Sequence, residues 1–305
     1  MGKVVAVCIS DKKGTQKINI KSCFIKLGWG LENDAHGGNW HRQVSLLSID
    51  KVKMFSTKDM DIKAGVFGEN ILAEGIDFAK LPTGTLIKCG DALLEITQIG
   101  KECHNKCIIH HQMGDCIMPR EGVFAKVLQD GNVTEGDDIK IILSAAVITL
   151  SDKGSKGERL DQSGMIISEQ LSNAGYFIAS KVLLPDDKSL IEKSLIELSD
   201  NNRVQLIITT GGTGLAVRDV TPEATIAIAT REVPGIAEAI RYHSLKKTPR
   251  AMLSRGVAVI RNQTLIVNLP GSPKAVSEIL EYILPSLTHG VEILCGIASE
   301  CGETV

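Results

Sequence analysis

Two apolar runs, AAVITL (145–150) and VQLIITT (204–210), constrain the fold more than any other feature. Both are strand-length and of the fully buried type. Helix-patterned stretches separate them and continue beyond them. DQSGMIISEQLSNAG (161–175) reads as a helix capped by Asp161 or Ser163, with Gly175 just past its end. YFIASKVLL (176–184) is a strand. In DDKSLIEKSLIELSD (186–200), Leu190, Ile191, Ile196 and Leu198 carry the helical spacing and Asp187 is the expected cap. VAVIRNQTLIVNL predicts a hairpin turning at Asn262-Gln263, and a closing helix starts at Pro273. Strands alternating with helices predict parallel pairing in an α/β layered domain.

The rhythm before residue 143 differs. VVAVCIS, QVSLLSI, ENILAEGI, GTLIKCG, ALLEITQIG and IKIILS are short β runs cut by Gly, Asp, Asn and Lys. Such spacing predicts a sandwich or barrel, with helix only at Ile49 to Met54 and Gly122 to Leu128. Domains are therefore expected at 1–143 and 145–297, with a frayed polar tail at 298–305. The boundary carries no Gly/Ser or Pro linker.

Charge excludes a basic nucleic-acid-binding body. The formal net charge is -2, with 18 basic and 18 acidic side chains up to residue 143 and 16 and 18 after it. IILSAAVITL is too short and too polar to span a membrane. The amino terminus lacks a signal peptide's apolar run, so a cytoplasmic protein is expected. Its eight cysteines are then expected to be reduced. Three of them crowd into residues 103–116.

TTGGTGLAVRDVTPEAT (209–225) has the chemistry of a site. Strand VQLIITT runs straight into Gly211, Gly212, Thr213 and Gly214, and in an open α/β sheet ligands bind beyond the carboxyl ends of strands. Successive glycines let backbone N–H groups face an anion. Arg218-Asp219 sets a cation beside a carboxylate. Thr221 followed by Pro222 reads as a capping hydroxyl and a first-turn proline, a helix start suited to phosphate. GGTG alone also fits a plain strand–turn–helix connection, and it matches neither a Walker A loop nor a G-x-G-x-x-G fingerprint.

TTGGTG, RDVTPEAT, TPRAMLSR and NLPGSPKAV, in that order, resemble the molybdopterin adenylyltransferase (Mog/MoaB-like) family over Ala145 to Gly296. The resemblance implies a three-layer α/β/α domain that forms a homo-trimer. It implies transfer of AMP from ATP to molybdopterin with release of pyrophosphate, and a molybdenum-insertion protein as the next partner. It places catalytic aspartates at Asp186 and Asp219, which would hold Mg²⁺. Ser254 falls on a pterin-binding serine, and Thr210, the three glycines, Thr213, Arg218 and Thr221 on the substrate loop. Pro270, Gly271 and Ser272 begin the last helix. Ser272 and Lys274 stand where many members carry Asn, which bears on pterin contacts. Ser151, Asp152 and Asp161 follow the first strand and either line the pocket or form a solvated loop.

NDAHGGNWHRQVSLLS, GVFGENI and KECHNKCIIHH resemble the MOSC domain over Gly2 to Leu143. That implies a β-rich, barrel-like fold that binds molybdenum cofactor or carries sulfur on a cysteine. Cys107, in the basic-Cys-apolar pattern, is preferred over Cys103. Lys106 and nearby histidines would favour its thiolate if they face it. A buried inert cysteine is the plain alternative. Zinc is a third reading, since Cys103, His104, Cys107, His110, His111 and Cys116 are all zinc-type ligands, although at no standard spacing. His36 and His41 flank GGNW, whose glycines predict either close approach to a ligand or a tight turn. Arg42 would fork onto a pterin phosphate. Glu69-Asn70 fits a turn.

Overall fold

A computed structural model describes residues 2–55, 63–102 and 115–297. The chain divides into two compact units, Met1–Ile142 and Leu143–Val305.

The first unit is a β-barrel. Its strands are β1 (Gly2–Ile9), β2 (Ile18–Asn19), β3 (Ser22–Lys26), β4 (Gly30–Leu31), β5 (Val44–Ser48), β6 (Ile71–Glu74), β7 (Leu86–Cys89), β8 (Ala92–Ile99), β9 (Val123–Gln129), β10 (Gly131–Thr134) and β11 (Asp138–Ile142). The main sheet runs β11-β7-β8-β9-β5-β6-β1-β2. It closes where β1 pairs antiparallel with β11, Gly2 opposite Ile139. Closure removes the exposed edges that short strands otherwise present. Val4, Val7, Leu46, Ile71, Ile87, Leu94, Ile96, Val123 and Ala125 fill the interior. The expected helix at Gly122 to Leu128 is instead β9. This segment lies between β8 and β5, where Val123, Phe124, Ala125 and Val127 are all buried. A continuously buried strand has no alternation by which to distinguish it from a helix.

The second unit has six strands: β12 (Ser144–Leu150), β13 (Phe177–Leu184), β14 (Leu206–Thr210), β15 (Arg231–Glu232), β16 (Ala258–Arg261) and β17 (Thr264–Leu269). Their order is β13-β12-β14-β17-β16-β15. The first four are mutually parallel, and β16 and β15 add antiparallel. Asn262, at φ 52°, turns the β16–β17 hairpin.

Apolar side chains leave both faces of this sheet. Ala145 and Val147 pack with Ile167, Leu171, Val276 and Ile279 on one side. Ala146, Ile148 and Leu150 pack with Ile191, Leu195 and Ala224 on the other. The result is three layers, α/β/α.

Asp161 and Asp187 accept N–H bonds from Gly164 and Leu190, capping helices Gln162–Asn173 and Lys188–Ile196. Ile191 and Leu195 are the buried residues of the second helix, and Leu198, in the turn Glu197–Asn201 that follows it, is buried too, whereas Leu190 and Ile196 are exposed. Of the four apolar positions expected to carry the helical spacing, Ile191 and Leu198 thus face the core. The last helix runs from Pro273 to Leu294 and passes through Pro285. Among the described residues no helix is long and apolar enough to cross a membrane.

Candidate functional site

The parallel strands β12, β13, β14 and β17 all point their carboxyl ends the same way. The segments that follow them, at Ser151-Asp152, Pro185-Asp186, Gly211-Gly212 and Pro270-Gly271, therefore gather at one edge of the sheet.

Gly211 has φ 100°, and a Cβ there would run into the carbonyl oxygen of Leu150. Gly212 has φ 62°, and its Cβ would meet the Thr221 hydroxyl and lie 3.0 Å from Asp186 Oδ1. Both positions need glycine for backbone conformation and for space. The turn is pinned on three sides. Thr221 Oγ1 donates to the Gly211 carbonyl at 3.0 Å, Thr210 Oγ1 to the Pro270 carbonyl at 2.7 Å, and Gly211 N to the Leu269 carbonyl at 3.2 Å.

Thr221 therefore fastens the glycine turn and does not cap its helix. Val220 occupies the cap position, and no side chain caps that end. Thr221–Ala227 has only seven residues, so its dipole is a weak source of anion affinity.

Asp187 takes the cap of the neighbouring helix, which leaves Asp186 free of that duty. The Asp186 carboxyl is pushed above its ordinary range, first by burial and then by the charges of Asp152 and Asp219, with Arg218 opposing. Asp152 Oδ1 accepts from Arg218 Nη2 at 2.7 Å and from the Asp186 N–H at 3.3 Å. Arg218, read as a substrate ligand, is thus engaged by Asp152. Asp219 Oδ2 accepts from the Ala216 N–H at 2.9 Å.

Three acidic residues and one arginine are therefore neighbours at the glycine turn. Among the described residues no three His, Cys, Asp or Glu side chains converge as a metal cage. One or two carboxylates remain the protein's share of a cation site, which is how Mg²⁺ binds beside substrate oxygens.

Beside this cluster a cavity of about 110 Å³ is lined by Thr149, Ser151, Arg159, Asp161, Ser163, Thr210 and Gly271, among others. Ser163 Oγ donates to the Gly271 carbonyl at 2.9 Å, and Thr149 Oγ1 to Asp161 at 2.8 Å. Thr149, Arg159 and Ser163 were not read as site residues. Ser163 sits at a helix start, where its hydroxyl passes for a cap. Ser151 caps the short helix Asp152–Ser155 by accepting from the Gly154 N–H. Thr213 is buried. The Ser254 hydroxyl accepts from Gly256 N–H at 3.4 Å and lines none of this cavity. Ser272 stands exposed ahead of the last helix.

Substituting Gly212 by Ala tests the turn. The methyl group would displace Thr221 or Asp186. Turnover is expected to fall about 10²-fold, the scale of a 1 Å misplacement. Unchanged turnover would show that the turn is only a connection.

In the first unit, His36 and Arg42 lie on the segment leading into β5. Burial first, and then the charge of Lys17, hold the His36 imidazole below its ordinary pKa. Its Nδ1 is buried without a hydrogen bond, 3.8 Å from Asp34 Oδ2. The Arg42 guanidinium carbon lies 4.9 Å from the Trp40 ring centre and 5.7 Å from that of Phe124. What approaches Gly37 closely is the indole of Trp29, an internal packing partner. Cys103, Cys107, His104, His110 and His111 lie outside the described residues, and the sulfur-carrier and zinc readings with them. Cys116 is buried.

A buried ion pair in this unit left no mark in the sequence. Lys17 Nζ lies 2.6 Å from Asp34 Oδ2, and both side chains are essentially inaccessible. Asp34 also accepts from Ser10 N–H and Asn70 Nδ2. Burial opposes its charge, but Lys17 and these donors hold the carboxyl below its usual range.

Glu69 accepts from the Gly65 and Phe67 N–H groups and is pushed up to about 7 by burial, against those bonds and Lys17. A raised carboxyl stabilises the fold fully below its unfolded value of about 4.5, and that contribution fades as pH climbs through 7. Between pH 5 and 8 the unit is expected to lose on the order of 3 kcal/mol from this group. Glu69→Gln is expected to flatten that slope. Denaturant unfolding read by tryptophan fluorescence checks it, since Trp29 and Trp40 are the chain's two tryptophans. An identical slope in the variant would rule Glu69 out as its source.

Comparison with known proteins agrees with these two units. A family model, "Probable molybdopterin binding domain", matches residues 146–289, and the MOSC domain model matches residues 32–140. A Helicobacter pylori (strain J99) protein named molybdopterin adenylyltransferase is 43% identical over 162 residues, covering 52% of this chain and 90% of that protein. Its Escherichia coli K12 namesake is 43% identical over 155 residues, covering 49% and 80%. The crystal structure of the molybdopterin biosynthesis enzyme MoaB from Thermus thermophilus is 48% identical, covers 51% of this chain and 98% of that one, and superposes with a TM-score of 0.49. Residues 32–140 of the first unit match the MOSC domain, and through its second unit this chain belongs to the molybdopterin adenylyltransferase family.

Proposed function

We propose that the second unit transfers AMP from ATP to molybdopterin, and that the MOSC unit binds molybdenum cofactor or carries sulfur. In the transfer, a terminal phosphate oxygen of the pterin forms a bond to the α-phosphorus of ATP. The bond from that phosphorus to the β-bridging oxygen breaks, and pyrophosphate leaves. Two anions must meet, so most of the barrier is charge crowding. The observation that carries this reading is the meeting of Asp186, Asp152 and Asp219 with the Gly211-Gly212 turn at one sheet edge.

The residues fit Mg²⁺. Asp186 and Asp219 would hold it; burial first and then the charges of Asp152 and Asp219 raise the Asp186 carboxyl, and a cation would offset that negative charge. When bound, it supplies charge neutralisation to the reacting phosphates. The chain's own part is positional. The glycine turn admits a phosphate against bare backbone, and Arg218 lends positive charge at the rim. The hydroxyl-lined cavity beside it orders a polar substrate. His36 and Arg42 are the MOSC residues suited to the cofactor's phosphate, Arg42 through its fork.

Incubation with α-labelled ATP, Mg²⁺ and molybdopterin is expected to move label onto the pterin. Pterin binding with no label transfer would make the chain a carrier. Assembly as a trimer, read by light scattering on the whole chain, belongs to the same proposal.

A further inference from the structure

Asp219 sits on a loop that packing does not anchor, since Leu215 and Val217 are 65% and 98% exposed and Ala216 is exposed as well. Arg218 ties the outer side of this loop to Asp152. The backbone on both sides of Asp219 is gripped by Arg255, which comes from a distant part of the sequence, just past the short helix Pro249–Leu253. Its Nε donates to the Gly214 carbonyl at 2.7 Å, and its Nη2 donates to the carbonyl of Asp219 itself. Its Nη1 pairs with Glu223, and its backbone N–H donates to the Thr213 carbonyl at 3.0 Å. One guanidinium thus spans the loop from 214 to 223. A rigid planar fork holds its Nε and Nη2 donors at a fixed spacing that matches two separated carbonyls, which the compact ammonium of lysine does not reproduce. The aspartate is also set from its other side. A Cβ at Gly214 would lie 2.8 Å from Asp219 Oδ2, so this carboxylate rests directly on the glycine backbone.

We propose that Arg255 is a positioning residue for adenylyl transfer, acting through the backbone of the 214–219 loop to hold the Asp219 carboxylate facing Asp186. The proposal rests on the reading of Asp219 given above. Arg255 touches no substrate in it. Its effect should therefore pass entirely through Asp219.

A double-mutant cycle on the full chain tests this, with pyrophosphate release from Mg-ATP and molybdopterin as one readout. A second readout is calorimetric affinity for a non-hydrolysable ATP analogue with and without Mg²⁺. Arg255→Ala is expected to lower kcat/KM for Mg-ATP roughly 10- to 100-fold. Mg²⁺ enhancement of analogue binding is expected to shrink to that of Asp219→Asn. The double variant is expected to be no slower than Asp219→Asn alone. Arg255→Lys, able to reach one carbonyl, should fall between wild type and Ala. Glu223→Gln, which keeps both carbonyl contacts, should stay within about threefold of wild type.

Should Arg255→Ala fail to fold, Arg255→Lys takes its place in the cycle. Multiplying losses in the double variant, or wild-type Mg²⁺ enhancement in a slow Arg255 variant, would overturn the positioning role. A wild-type rate in Asp219→Asn would instead overturn the reading of the site on which it rests.

Discussion

Asp219→Asn is expected to lower pyrophosphate release by roughly 10²-fold or more while leaving the fold intact. That is the scale of removing one preorganised charge-stabilising group from an active site. The two halves of the prediction come from different atoms. Asp219 Oδ2 accepts from the Ala216 N–H, and the amide oxygen of Asn can accept the same bond, so the loop closes as before. What disappears is the negative charge that Asp219 adds beside Asp186, the charge proposed above to hold Mg²⁺. Thermal melting should therefore match wild type to within a degree or two, while turnover collapses. A variant that melts early would make the turn, and not the charge, the reason for any loss. Undiminished turnover would remove Asp219 from the chemistry.

The largest expected effect on stability lies in the other unit. Lys17→Met leaves the Asp34 carboxylate buried without its counter-charge, and breaking such a pair costs about 3–5 kcal/mol. Ser10 N–H and Asn70 Nδ2 still donate to Asp34, which places the loss toward the lower end of that range. A buried pair removed whole is far less costly than one broken in half. Adding Asp34→Asn to Lys17→Met should therefore recover much of the loss. Denaturant unfolding followed through Trp29 and Trp40 measures both variants. Equal stability of Lys17→Met and wild type would mean that the pair contributes nothing net. Failure of the double variant to recover would point to lost packing by the lysine stem as the cause.

These two sites differ in how legible they were in the sequence. Asp219 stood in RDVTPEAT beside a glycine turn, and the parallel strands predicted from AAVITL and VQLIITT put the turn where ligands bind. Local chemistry and fold pattern agreed there. Lys17 and Asp34 are seventeen residues apart in two different loops, and their pairing is a tertiary contact that neither local sequence announces. Arg255 escaped for the same reason. Its partners, Gly214 and Asp219, lie about forty residues upstream, and backbone carbonyls leave no mark in a sequence. Thr221 was identified as important but given the wrong task. A threonine before a proline has the signature of a cap, and its hydroxyl was claimed by a tertiary partner, the Gly211 carbonyl. At 122–128 the pattern itself was ambiguous, because a strand buried throughout loses the alternation that marks it. Leu190 and Ile196 show the limit of periodicity within a correctly read helix: of the four apolar positions named, Ile191 and Leu198 face the core and these two do not.

Whether the glycine turn and its aspartates make an adenylyltransferase or only a pterin-binding surface is decided by pyrophosphate release from Mg-ATP by the whole chain, measured with and without molybdopterin. Release is expected to depend on the pterin. Tight pterin binding with no pyrophosphate above the pterin-free level would leave a binding surface and no transferase.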